Sequence, residues 1–353
     1  MSRPKAYFIN GGAGRVICSI PAFEKLAETD DDFIIVCEGG MDMYKGHPLL
    51  HDRAYDNWHK GLFEQHIKDR DCVTPEPYRV WEYYNQKCSL AQAFGIAINN
   101  QGVRQLPPPK IVLNKYEMVQ GYNVVEEVKF KTGFDKVVVI QPFGRGIQNQ
   151  GDFVVDPSSR SLHLKDVLTI INDLKKEYGV ILMSEFPISV EENDNGKYPV
   201  AMPQIPDIRI WSGVIDVADH FIGCDSVGQH IARALGKTAT IVTGSTYPVN
   251  ISYPDCKDFD IVDVGEGKRK YSPIRISMED HVERYNDESM EMSKEQVQKV
   301  LSLARNKLGK STRYKGNYKP PAPMENTCCE EQPKQESVKA MFSTAGGALS
   351  LNK

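Results

Sequence analysis

No stretch of this 353-residue chain is apolar for the roughly 18 residues that a membrane-spanning helix needs, so no bilayer span is expected. Positive charge is not in excess either. Lys and Arg total 43 against 47 Asp and Glu, a net charge of −4, and this overall field does not point to nucleic acid as a partner. The eight cysteines form no CxxC pair and no zinc-ligand spacing; the one adjacent pair, Cys328 and Cys329, lies in a polar stretch. No metal site or disulfide framework is therefore expected, and the chain reads as cytoplasmic with reduced thiols. The opening "MSRPKAYFINGG" lacks a signal-peptide pattern and should enter a strand at once.

Two further motifs are incomplete. A dinucleotide fingerprint starting at Gly12 needs glycines at 12, 14 and 17, but position 17 is Ile. Pro21 also argues against an undisturbed helix running on from those glycines. Glu38, after the second apolar run, stands where a ribose contact would fall, yet an acid there is common. A nicotinamide enzyme is not the expected reading. The histidines 51, 59 and 66 never share a helical face at i, i+4, so their segment reads as a solvated helix anchored by Trp58. "GEGKRKYSPIR", residues 265–275, reads as a short basic loop, either solvated or steadying a phosphate or an acidic acceptor.

What the chain does have is alternation. Short β-branched runs at 6–10, 33–37, 137–141, 180–184, 208–211, 220–223 and 238–243 read as strands buried on both faces of a parallel sheet. Between them, 23–27, 78–94, 164–178 and 226–235 read as helices, and the fold class is α/β. The set starts twice, separated by a connector containing Pro107, Pro108 and Pro109. Two facing Rossmann-like domains follow, residues 1–130 and 131–309, with a central cleft at the carboxyl ends of the strands. "SKEQVQKVLSLARNKLG" (293–309) is an amphipathic helix with Ser293 as its cap. Residues 310–353 form a polar, Pro-rich tail that reads as frayed or as docking on the body or on another protein.

One stretch concentrates the polar chemistry: "DHFIGCDSVGQHIARALGKTATIV", residues 219–242. Val227, Ile231, Ala234 and Leu235 fall on one helical stripe, which puts Asp225 and Ser226 at a helix N-terminus, a seat for phosphate. Gly228 leaves the first turn bare for a ligand to approach. His230 lies one turn in. The plainer alternative is that Asp225 is only a helix cap, worth about 1 kcal/mol, and that His230 is a satisfied core histidine.

"CDSVGQHIARALGK" resembles the donor-site motif of family 9 glycosyltransferases, the ADP-heptose:lipopolysaccharide heptosyltransferases and their relatives. Asp225, Ser226, His230, Ala232, Ala234, Leu235 and Gly236 match; the glycine comes one place late. "TGSTYP" (243–248) is similar to the turn that follows in the family, and "GAGRVICSIPAFEKL" is similar to its opening through Gly14, Val16, Ile17, Pro21 and Leu26. Arg160 and Leu162 stand in the places of a further helix-entry motif. The similarity covers roughly residues 5–245 and implies a GT-B fold. A nucleotide-diphosphate sugar would lie in the C-terminal domain and a carbohydrate acceptor against the N-terminal one. No other cofactor and no metal is implied.

The resemblance implies Asp225 on the donor-sugar hydroxyls, Ser226, Gly228 and the helix amides on the diphosphate, and His230 in support. Arg145 or Arg160 would neutralise the leaving group, and Thr243, Gly244 and Ser245 would border the donor. Gly12 and Gly14 would form the acceptor-side turn, and helix 293–309 would cross back onto the first domain. One place departs from the family. Where it has an aspartate thought to be the general base, this chain has Arg15, which stays protonated. Either Glu38 or Asp42 serves instead, or the acceptor is activated differently, or the chain is a nucleotide-sugar binder or structural component that transfers nothing. Arg15 itself would hold an anionic acceptor or be a solvated surface residue.

Overall fold

The computed structural model describes residues 3–144, 146–149, 154–190, 196–269 and 287–319. Its first lobe is a four-stranded parallel sheet built from β1 (Lys5–Ile9), β2 (Phe33–Cys37), β3 (Ala54–Asp56) and β4 (Asp71–Val73), in the order β3-β2-β1-β4. Helix α1 (Ala13–Leu26) follows β1, and α2 (Trp81–Tyr84) and α3 (Leu90–Asn99) complete the lobe. Every residue of β2 is buried, as expected for a strand covered on both faces.

Helix α4 (Lys115–Thr132) leads to the second lobe: β5 (Val137–Gln141), the small hairpin of β6 (Gln148–Asn149) and β7 (Val154–Val155), α5 (Leu164–Leu174), β8 (Gly179–Leu182), β9 (Val200–Ala201), α6 (Ile208–Val217), β10 (His220–Gly223), α7 (Val227–Ala234), β11 (Ala239–Thr243), α8 (Pro248–Ile251), β12 (Phe259–Asp263) and α9 (Lys294–Leu308). The second sheet runs β12-β11-β10-β5-β8-β9, all parallel. Two parallel sheets with helices between and around them are the expected GT-B arrangement.

Several local expectations change. Residues 208–211 are the first turn of α6 rather than a strand, because the Asp207 carboxylate accepts the Arg209 N–H at 2.7 Å and starts a helix. Helix α1 begins at Ala13 and runs through Pro21, which it keeps inside. The stretch 78–94 is broken, and α3 starts only at Ser89, whose side chain forms a capping box with Gln92. Residues 51–67 form short turns and β3 rather than one helix, and Trp58 anchors nothing: it is 86% exposed.

The connector holding Pro107, Pro108 and Pro109 has no helix or strand up to Asn114, but from Lys115 onward the chain is helix α4. Asn114 and Glu117 make its capping box, and it buries few apolar residues. It packs on α6 through glycines instead: a Cβ on Gly121 would come 2.1 Å from the carbonyl carbon of Gly213. The Glu117 carboxylate takes both Arg209 Nε (3.0 Å) and Nη2 (2.7 Å), a buried bidentate pair. On its other side Val128 packs at Gly179 of β8. The expected boundary at 130/131 thus falls inside α4, and both sheets sit in one compact unit ending at Tyr318. Helix α9 does not cross to the first lobe; Val300, Leu301 and Ala304 are buried in the core of the second sheet. The first residues of the expected tail are pinned: Tyr314 N–H donates to Gly133 O at 2.9 Å and its hydroxyl to Glu126 at 2.5 Å. The rest, 320–353, lies outside the described residues.

Candidate functional site

A cavity of 940 Å³ opens where the carboxyl ends of both sheets face each other. From the first lobe it receives the turn after β1 (Gly11, Gly12, Ala13, Gly14, Arg15) and the end of β2 (Gly39, Gly40, Asp42). The second lobe supplies the ends of β5, β8 and β10, including Gln141, Glu185, Asp225, Ser226, Val227 and His230, together with Arg160. This is the edge at which open parallel sheets bind ligands.

Two helix N-termini meet there. Gly12 caps α1 and Ser226 caps α7, neither makes a side-chain cap bond, and neither first turn contains an acid. Gly14 touches the α7 side so closely that a Cβ would lie 3.1 Å from His230 Cδ2. Gly40, at φ +77°, lets the end of β2 close onto Ala13, where a Cβ would be 2.5 Å from the Ala13 Cα. Both positive dipole ends therefore serve one cavity, a setting that favours an anion.

The α7 turn is partly occupied. Gln141 accepts the Gly228 N–H at 2.9 Å and donates to Ser226 Oγ at 3.2 Å. Gly228 does not leave a gap for a ligand: a Cβ there would strike Gln141 Oε1 at 2.3 Å and Phe221 at 2.4 Å. Its missing side chain makes room for Gln141 and Phe221, so this glycine serves packing. Asp225, Ser226 and Val227 remain on the cavity wall.

Arg160 also lines the cavity, with Nη1 3.7 Å from Asp225 Oδ2 and Nε donating to Ser158 Oγ at 3.1 Å. The other Asp225 oxygen accepts from Gln229 at 3.1 Å. Asp156 shapes the loop that carries Arg160, taking the N–H groups of Ser158 (2.8 Å), Ser161 (2.9 Å) and Arg160 (3.2 Å). Burial pushes its carboxyl up, but the hydrogen bonds from Ser158 and Ser161 outweigh that and hold it below the usual range. The signal for this residue in the sequence is the run Asp-Pro-Ser-Ser-Arg-Ser, 156–161, which carries the mark of an Asx turn.

Arg15 is not a solvated surface residue. Its side chain is 12% exposed, lies over the rings of Tyr78 (4.8 Å) and Phe94 (5.6 Å), and comes 3.5 Å from Glu76. Glu38 accepts the Gly11 N–H at 2.6 Å and is not part of the cavity wall, whereas Asp42 is. Asp42 Oδ1 stands 2.5 Å from Lys45 Nζ.

Thr243, Gly244 and Ser245 are buried away from the cavity. Gly244 is covered by Ser289, Met290 and Gly265, and Arg269 donates to its carbonyl at 2.7 Å while pairing with Asp263. That internal use of Arg269 removes it from the basic-loop expectation; residues 270–275, like Arg145, lie outside the described residues. His230 is buried on the cavity wall, its Nδ1 2.8 Å from the Tyr253 hydroxyl and 3.5 Å from Cys18 Sγ. Among the described residues no three His, Cys, Asp or Glu gather to hold a metal, and no helix is long and apolar enough to cross a membrane.

No protein-family model matches the sequence, and no curated protein matches it. Solved structures do share the fold. The glycosyl transferase family 9 structure from Veillonella parvula DSM 2008 aligns with a TM-score of 0.59 at 12% identity, covering 87% of this chain and 98% of its own. The E. coli ADP-heptose lps heptosyltransferase II aligns with a TM-score of 0.54 at 12% identity, over 80% of this chain and 97% of its own. At such identities the likeness is one of fold.

Proposed function

We propose that the chain is a glycosyltransferase that moves a sugar from a nucleoside-diphosphate sugar, held by the second lobe, to a carbohydrate acceptor placed against the first. One observation carries the reading: the Arg160–Asp225 pair and the N-termini of α7 and α1 all line one cavity between two parallel sheets. Breaking a glycosidic bond to a diphosphate leaves negative charge on the departing nucleotide. Fixed positive groups aimed at that charge lower the barrier. Arg160 and the two helix ends supply them without a metal ion, and the Asp225 carboxylate accepts from a sugar hydroxyl.

The acceptor hydroxyl must lose a proton as it attacks. Arg15 cannot take it, and Glu38, which spends Oε2 on the Gly11 N–H, is not on the cavity wall. Asp42 lines the cavity on the acceptor side, and we assign the base role to it. The test is nucleoside-diphosphate release from a panel of nucleotide sugars with pooled glycan acceptors. Asp225→Ala should abolish turnover, and turnover at the wild-type rate in that variant defeats the site assignment.

A second reading, a binder that holds donor without transferring sugar, is favoured by Arg15 at the family's base position and by the Lys45 pairing of Asp42. Thermal stabilisation by nucleotide sugars with no turnover in any acceptor pool would select it.

A further inference from the structure

Tyr253 has φ +55°, a left-handed conformation that is strained for a bulky residue and persists only when its surroundings hold it. Its ring sits edge-on to Phe259 at 5.5 Å and to His230 at 5.7 Å, with the Arg233 guanidinium 5.8 Å away. The result of this placement is one short contact: the phenol oxygen lies 2.8 Å from Nδ1 of His230. Cys18, arriving from α1 of the other lobe, sets its Sγ 3.5 Å from the same nitrogen and 3.9 Å from the phenol oxygen.

Both neighbours of Nδ1 keep their protons. Burial pushes the Cys18 thiol up to about 12 and the Tyr253 phenol well above its usual range. A proton on Nδ1 would oblige the phenol to give its own proton to a weakly accepting sulfur at 3.9 Å. A bare Nδ1 instead takes the phenol proton at 2.8 Å. The second arrangement makes the stronger hydrogen bond.

We propose that Tyr253 is a positioning residue that donates its hydroxyl proton to Nδ1 and so holds the His230 imidazole as the Nε2–H tautomer beside the cleft. Nε2 belongs to the ring edge that meets Gly14, where a Cβ on that glycine would be 3.7 Å away. There it is a neutral N–H donor between two helix N-termini, suited to an oxygen of the donor diphosphate. The charged neighbours acting on the ring are Asp225 and Arg160; burial outweighs the upward pull of Asp225 and brings the imidazole down to about 4, so it is uncharged at neutral pH. The role in binding rests on the donor-site reading above, while the tautomer itself does not.

The experiment is nitrogen-15 NMR of the full chain with labelled histidine, the His230 signals being identified by their loss in His230→Gln. The expected spectrum has a protonated Nε2 and an unprotonated Nδ1. Tyr253→Phe should move both nitrogens toward the averaged positions of mixed tautomers and lower transfer roughly tenfold, the scale of one lost hydrogen bond. Cys18→Ala should leave the tautomer in place. A wild-type spectrum with the proton on Nδ1, or nitrogen shifts unmoved in Tyr253→Phe, overturns the proposal. If Tyr253→Phe does not fold, the wild-type spectrum alone decides. If no sugar is transferred at all, the spectrum still gives its answer, so the two failures are separable.

Discussion

Arg160 Nη1 stands 3.7 Å from Asp225 Oδ2 across the wall of the cleft, one residue delivered by the loop shaped by Asp156 and the other by the turn after β10. The side chains are 25% and 9% exposed. A pair this loose and partly wet contributes no more than about 1 kcal/mol to folding. Arg160→Gln and Asp225→Asn should therefore melt within about 4 °C of wild type, while sugar transfer falls by a factor of about 100 or more. Parallel melting curves and turnover rates check both halves.

The Glu117–Arg209 pair is of another kind, since both side chains are buried. Arg209→Met strands the Glu117 carboxylate away from water and should cost about 3–5 kcal/mol. Urea unfolding followed by circular dichroism measures it.

Gly213 is needed because Glu117 O of α4 occupies its missing side chain, 2.3 Å from where a Cβ would be. Gly213→Ala should destabilise by at least about 1–3 kcal/mol, since helix backbones rather than a flexible side chain must move. Gly102→Ala, with nothing within 4 Å, should be neutral or slightly stabilising in the same unfolding assay.

Acid should unfold the protein through two buried histidines. Burial lowers His220 to about 3 and His230 to about 4, against an unfolded value near 6.5. Above that unfolded value both states are neutral and stability is intact. As pH falls from about 6.5 toward 4, the unfolded chain takes up protons that the native one refuses. Stability then falls by at most about 1.4 kcal/mol per pH unit for each histidine. Melting temperatures from pH 8 to 4 should decline below pH 6.5, and less steeply in His230→Gln.

Local signals were legible in the sequence and distant ones were not. Strands β2, β5 and β10 fall where apolar runs end at turn residues. The β10–turn–α7 unit placed Asp225, Ser226 and His230 together because strand, turn and helix are contiguous. Edge strands were missed: β4 exposes Asp71 and Cys72, and Asp260 and Asp263 interrupt the apolar residues of β12, so neither reads as a buried run. Helix α4 hid because glycine and an ion pair, rather than an apolar stripe, seat it on α6. Within the site, Gly228 was read as space for a ligand because its occupant, Gln141, comes from another strand. The turn at Thr243–Ser245 failed for the same reason, since Ser289 and Met290 cover it from far along the chain.

Calorimetric titration of the full chain with nucleoside-diphosphate sugars, repeated on Arg160→Gln, tests most directly whether the cleft seats a donor diphosphate. The result expected is saturable one-to-one binding by at least one donor, weakened roughly tenfold or more when the guanidinium is lost. Binding that is indifferent to Arg160, or heat-silent titrations across every nucleotide sugar tried, would contradict it.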